Sequence, residues 1–265
     1  LNHIAALRQR HLCYTRLLGL SVLLMIFFAL PGRWSRLTAI GYNLLPLVMI
    51  RGLGQPLGSV PFTRWPRWLY RALGLATLAS GLGWYLSPLS FRSAGVLMLV
   101  LWTLFMGWST VRLVRGLGYE RRVNTRVLMG AFAGYLLIGL TAGLLFSVIE
   151  SIHSGSFSSV HGAATGSLPL SDVLSAQGTE PAWQLNFVRL NYFAFVSLTT
   201  VGFGDITPLT SQAQMASVAV SVIGTLYLAV VMGLLISRAT VQVEEAVDDP
   251  IHRHPHHHGD AGDSD

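Results

Sequence analysis

The residues Ser197-Leu198-Thr199-Thr200-Val201-Gly202-Phe203-Gly204-Asp205-Ile206-Thr207-Pro208 carry the most concentrated chemical signal in the chain. Their types suit coordination of a dehydrated cation by backbone oxygen, because a narrow axial pathway must replace an ion's water shell with carbonyl groups that face inward. Gly202 and Gly204 alternate with Val201 and Phe203. Lacking a Cβ, each glycine reaches backbone angles closed to other residues, so successive carbonyls can face one way. The Thr200 hydroxyl would add an oxygen ring at the inner end. The side chains of Val201 and Phe203 are expected to point away from the ions and pack against the preceding helix.

Such a strand must be held in place. The segment 186–198 just before it can form a short helix whose carboxyl end, with its partial negative charge, aims at the cavity below. Apolar runs of spanning length flank the whole unit, Val127 to Ile149 before it and Gln212 to Ser237 after it. As a helix the second run would be ~39 Å long, more than a straight crossing needs, so it should tilt.

Thr200-Val201-Gly202-Phe203-Gly204 in this setting resembles the filter of the potassium channel family, which reads Thr-Val-Gly-Tyr-Gly. Phenylalanine in place of tyrosine is a variant found within that family. The resemblance covers about Val127 to Ser237 and implies that Thr200, Val201, Gly202 and Phe203 line the ion sites. Gly204 would complete the outer mouth and Thr199 would support the strand. Asp205 looks like the acid that pins the filter to its pore helix. Family members often offer it a tryptophan thirteen residues earlier, and some a glutamate nine residues earlier; here Tyr192 and Val196 stand at those places. A tyrosine hydroxyl could still reach the carboxylate. Gly224 falls where the family often has a glycine that lets the inner helix bend, although a small residue for close helix packing fits equally. Gly233 is a second hinge candidate. Beyond it Leu234, Ile236 and Thr240 are expected to face the axis as an inner gate that closes by excluding water. The Pro-x-Pro kink of many voltage-gated members is absent.

Composition sets the environment. The 265 residues are 52% apolar and only 11% charged, with a mean hydropathy of +0.53, too apolar for a soluble domain of this size. Cys13 is the sole cysteine, which excludes an intrachain disulfide. All 18 basic residues are arginine. They are spread between apolar segments, so no basic domain suggests a nucleic-acid partner.

Six spans are expected, with the pore helix and filter re-entrant between the fifth and sixth: an all-α membrane protein. Residues 1–111 would hold the first four (Leu12 to Leu30, Leu37 to Ile50 with Pro46 inside it, Trp68 to Leu86, Ser93 to Val111), followed by a basic surface linker over 112–126. The pore domain would occupy 127–238, with an outer helix, a turret over 150–185, the pore helix 186–198, the filter 199–205 and the inner helix 212–237. Rich in Ser, Gly and Ala, the turret reads as a flexible rim. The tail 239–265 turns acidic and then histidine-rich, and reads as solvated; within its run from His252 to His258, His254, His256, His257 and His258 are the metal-ligand candidates.

Arginine placement gives the orientation. With both termini cytoplasmic, inner segments hold Arg8, Arg10, Arg16, Arg51, Arg64, Arg67, Arg71, Arg112, Arg115, Arg121, Arg122, Arg126, Arg238 and Arg253, while only Arg33, Arg36, Arg92 and Arg189 lie outside. The same orientation puts Gly204 and Asp205 outward. An integral multi-pass protein of a bacterial plasma membrane is therefore expected.

A voltage sensor needs several arginines at every third position within the field, and the run from Ser93 to Val111 has none. Arg112 and Arg115 have the spacing but sit at the inner end. The first acidic residue of the chain is Glu120, so acidic partners within the first four spans are lacking too. These spans read as a packing collar or ligand sensor.

One filter strand cannot enclose an ion, so four chains must surround an axis. The expected function is passive, potassium-selective conduction by a homotetramer in a lipid bilayer, with no enzyme chemistry and no cofactor beyond the permeant K+. The alternatives are a weakly selective or voltage-modulated cation channel, or a non-conducting subunit or receptor that keeps the pore fold.

Overall fold

The computed structural model describes the backbone over residues 2–30, 35–53, 67–86, 92–118, 124–159, 168–169 and 182–248, and side chains over 12–30, 40–53, 68–83, 95–118, 124–159 and 187–241. Four helices come first: α1 (Asn2–Phe28), α2 (Ser35–Leu53), α3 (Arg67–Leu86) and α4 (Arg92–Gly118). Then follow α5 (Thr125–Ile152), two short strands β1 (Phe157–Ser159) and β2 (Leu168–Pro169), α6 (Ala182–Leu198) and β3 (Ile206–Pro208). The last helix is continuous but changes winding, from α7 (Ser211–Leu226) through a π-helical segment (Tyr227–Met232) to α8 (Gly233–Asp248).

Helix ends follow local chemistry. The side chain of Asn124 accepts from the Thr125 N–H at 2.7 Å and starts α5. Thr210 does the same for α7, accepting from the Ala213 N–H at 3.4 Å. Pro46 does not end α2, which runs on to Leu53 around it. Helix continuation also shortens the expected 112–126 linker: Leu113 and Leu117 are fully buried, so α4 runs to Gly118 and carries Arg112 and Arg115 on its last turns.

Two cores result. The larger joins α1, α2, α4 and α5 through Tyr14, Leu17, Tyr42, Met49, Phe105 and Leu140. Close approach of α1 and α2 depends on small residues, since a Cβ at Gly41 would lie 2.6 Å from Leu24 Cδ2 and one at Gly52 would run into Cys13 Sγ. The second core lies around the two ends of the segment 199–205 and contains Phe146, Phe157, Phe193, Leu198, Ile206 and Val220. Within it Phe146, Phe157 and Phe193 form a triangle, with ring centroids 5.3 to 5.5 Å apart, that locks α5, β1 and α6 together.

The expected flexible rim is in part a sheet. β1 pairs antiparallel with both β2 and β3, placing Phe157 opposite Pro208, Ser158 opposite Thr207 and Ser159 opposite Ile206. The rim folds there because Phe157 has a buried slot and because Glu150, at the end of α5, accepts from the N–H groups of Gly155 (2.9 Å) and Phe157 (3.2 Å).

Among the described residues, three helical stretches are long and apolar enough to cross a bilayer: Gly95–Gly118, Thr125–Ile152 and Ser211–Val241. Leu12–Phe28, Ile40–Leu53 and Phe187–Leu198 are shorter apolar helices.

Candidate ion pathway and its supports

Residues 199–205 leave the carboxyl end of α6 through an unwinding turn. The Thr199 N–H donates to Phe195 O at 2.9 Å, Thr200 to Ser197 O at 3.0 Å and Val201 to Val196 O at 3.1 Å. Beyond that turn the backbone alternates. Thr200 has φ +58°, Gly202 +57° and Gly204 +77°, whereas Val201 and Phe203 between them are not in the positive region. In an extended strand successive carbonyls point to opposite sides; reversing the sign of φ at every second residue counter-rotates the peptide planes and brings them toward one side. A Cβ at Gly202 or Gly204 would meet nothing within 4 Å, so backbone angle, not space, requires glycine there. Thr200 holds its angle without that freedom, at a cost of roughly 1–2 kcal/mol that surrounding contacts must offset. Such strain concentrates where geometry serves function.

The expectation that Val201 and Phe203 pack on the preceding helix is not met within one chain. They are 53% and 69% exposed. The strand stands clear of α6 beyond the Val201 to Val196 hydrogen bond, leaving both side chains without cover from their own chain.

Asp205 does reach back. The Tyr192 hydroxyl donates to its carboxylate, and loss of water around the phenol, followed by that hydrogen bond and the carboxylate charge, raises the tyrosine pKa above its ordinary value. Thr199 turns inward on its own helix, its hydroxyl donating to Phe195 O at 2.7 Å. Val196 is buried.

The carboxyl end of α6 is held by hydroxyl groups that the sequence pattern does not single out. Ser221 on α7 donates to Ser197 O at 2.8 Å and Tyr135 on α5 to Leu198 O at 3.5 Å. Gly224 lies against the same turn, where a Cβ would collide with the Leu198 carbonyl oxygen. That contact supports the close-packing reading of Gly224. At Gly233, which borders the π-helical segment, a Cβ would meet nothing within 4 Å. Tyr227, where that segment starts, donates to Ala131 O on α5 at 2.6 Å.

On α8 the expected gate residues flank a buried neighbour. Leu234 and Ile236 are 43% and 55% exposed, while Leu235 between them is 2% exposed and packs into the larger core. The Thr240 hydroxyl donates to Ile236 O at 3.1 Å. His254, His256, His257 and His258 lie outside the described residues. Among the described residues no cluster of three or more His, Cys, Asp or Glu side chains could hold a metal.

With this geometry in view, residues 156–241 match a family model described as ion channel. That segment is therefore similar to an ion channel domain, in a mostly helical chain whose apolar helices support an integral membrane protein. Over 53 residues the chain is 42% identical to a voltage-gated inwardly rectifying potassium channel, KCNH6, of Rattus norvegicus, and equally to that of Homo sapiens. The shared stretch is 20% of this chain and only 6% of each relative. No solved structure gives a significant match.

Proposed function

We propose that this chain forms a potassium-selective channel in which four copies bring residues 200–204 around one axis and conduct ions passively. The observation that carries the reading is the alternating positive φ at Thr200, Gly202 and Gly204 within Thr-Val-Gly-Phe-Gly. Thr200, Val201, Gly202 and Phe203 would supply the coordinating oxygens and Gly204 the outer mouth. Thr199, Asp205 and Tyr192 would support the strand. The exposed flanks of Val201 and Phe203 favour assembly, because neighbouring copies offer the cover that one chain does not.

In this reading α1 to α4 and the last helix span the membrane with α5, while α6 is re-entrant. Arginine asymmetry favours both termini on the cytoplasmic side of a bacterial plasma membrane. Gly233 and the π-helical segment form the flexible point of the inner helix, and Leu234, Ile236 and Thr240 its constriction. The collar of α1 to α4 works as a support. Arg112 on α4 donates from Nη2 to Leu53 O at 2.8 Å and stacks 4.5 Å above the Tyr70 ring, an anchored placement for a charge near a helix end.

The test is potassium flux into liposomes holding the purified chain, with sodium as competitor and Gly202→Asp as control. Potassium flux abolished by the substitution is the expected result. Equal sodium flux would remove the claim of selectivity, and equal silence of both proteins across voltage, pH and calcium would favour a non-conducting subunit.

A further inference from the structure

The end of the molecule remote from residues 200–204 holds an open cavity of about 630 Å³ between the start of the apolar part of α1 and the start of α5. Two arginines from opposite parts of the sequence, Arg16 and Arg126, line it together with the polar side chains of Thr15 and Asn124. Leu12 and Met129 form its apolar wall. Asn124 also caps α5 and the Thr15 hydroxyl donates to Met129 Sδ at 3.8 Å, whereas the two arginines have no part in the ion pathway described above.

Its placement is specific. Leu12 opens the apolar stretch Leu12–Phe28 and Thr125 opens the span Thr125–Ile152, so the cavity lies at the level where hydrocarbon gives way to headgroups. Among the described residues no carboxylate lines it, leaving two cationic forks to face one space. Guanidinium groups match phosphate oxygens in pairs, and basic pockets between membrane helices take up anionic headgroups. The polar and apolar halves of the lining match the two halves of a glycerophospholipid: phosphate on Arg16 and Arg126, acyl-glycerol on Leu12 and Met129.

We infer that this cavity is a binding site for the phosphate of an anionic glycerophospholipid in the leaflet opposite the filter mouth. Bound there, the lipid would bridge α1 to α5 and so clamp the collar to the outer helix of the pore. The inference requires that α1 and α5 cross a bilayer; it does not depend on ion selectivity.

Thermal unfolding of the purified chain in a neutral detergent tests it, with three additives: dioctanoyl phosphatidic acid, dioctanoyl phosphatidylcholine and inorganic phosphate. A ligand that binds only the folded state raises the unfolding temperature with its concentration. The expected result is a rise with phosphatidic acid alone. Arg16→Gln and Arg126→Gln should each weaken that response by about fivefold in apparent affinity, and Arg51→Gln, an exposed arginine on α2, should leave it intact. Unliganded unfolding temperatures of the variants equal to wild type would show that the fold is unharmed. Equal stabilisation of wild type and both site variants, or equal loss in Arg51→Gln, would overturn the site. A matching rise with inorganic phosphate would overturn the lipid and leave a soluble anion. Potassium flux of the same variants in neutral lipid, expected to be retained, separates this question from that of conduction.

Discussion

The hydroxyl of Tyr42 on α2 donates to Oδ1 of Asn191 on α6 at 2.9 Å, joining the collar directly to the helix that precedes the filter strand. Asn191 is fixed in turn, its Nδ2 donating to Phe187 O at 2.8 Å. Around this bond the Tyr42 ring meets Phe187 at 5.1 Å, Trp102 at 5.6 Å and Phe28 at 6.0 Å. Elements α1, α2, α4 and α6 therefore converge on one tyrosine. Gly143 on α5 makes room on the other side, where a Cβ would strike the Asn191 amide.

Removing that hydroxyl should be costly, because Tyr42 is 2% exposed and Asn191 is fully buried, so no bulk water reaches the amide oxygen in its place. Tyr42→Phe should lower stability by about 1–3 kcal/mol, the usual penalty for a buried polar atom left unpaired. Thermal unfolding in detergent measures it. A double substitution with Asn191→Leu should cost less than the two single changes summed.

The two inner-helix glycines should respond in opposite ways. Gly224→Ala drives a methyl into the Leu198 carbonyl at the foot of the filter strand and should sharply reduce the yield of folded, conducting protein. At Gly233 the methyl meets nothing, so Gly233→Ala should fold normally and gain up to about 1 kcal/mol in helix stability. Size-exclusion profiles and potassium flux of the pair distinguish them.

Glu150→Gln tests the rim. Both carboxylate oxygens accept from backbone N–H groups, and an amide can replace only one of them, so Gly155 or Phe157 loses its acceptor. Faster hydrogen exchange at residues 157–159, 206 and 207 is expected, because β1 and β3 share their pairing.

Tyr192→Phe deletes the hydrogen bond to Asp205. The potassium-to-sodium flux ratio should fall by about two- to fivefold, the equivalent of ~0.5–1 kcal/mol for a partly exposed bond. In the wild type the neutral phenol is the donor, so the bond is present below its pKa and lost as pH rises through it. Since that pKa is raised above its ordinary value, the ratio should stay flat through neutral pH and decline only in strongly alkaline solution.

The unusual backbone path of residues 200–204 was legible in sequence because alternate glycines betray it, and the structure gives Gly202 and Gly204 positive φ. Apolar run lengths marked the helices for a similar reason: a bilayer imposes a minimum span. The contacts that seat the pathway were not readable. Ser221, Tyr135, Asn191 and Tyr42 act across large separations in sequence, and within an apolar segment one hydroxyl or amide looks much like another. Each is nevertheless a polar group in an apolar helix, the one signal that could have singled it out. The rim was misjudged for a different reason. Its Ser and Gly content suggested flexibility, whereas its described part around β1 is held by the buried Phe157 and by Glu150, which the sequence pattern placed in the rim and which lies at the end of α5. Val201 and Phe203 were expected to pack on the preceding helix, and their own chain leaves them exposed.

The π-helical segment Tyr227–Met232 has a consequence for angular phase. Its wider turns take up more residues than regular α-helical turns do, and each residue of an α-helix advances the helix face by about 100°. If the segment rewound by one residue into α geometry, everything beyond it would turn by about that angle. Neighbouring residues are separated by the same angle, so Leu234 or Ile236 would rotate into the slot that Leu235 now fills. The helix beyond the segment would thus be re-indexed by one residue, while Tyr227 keeps the part before it fastened to Ala131.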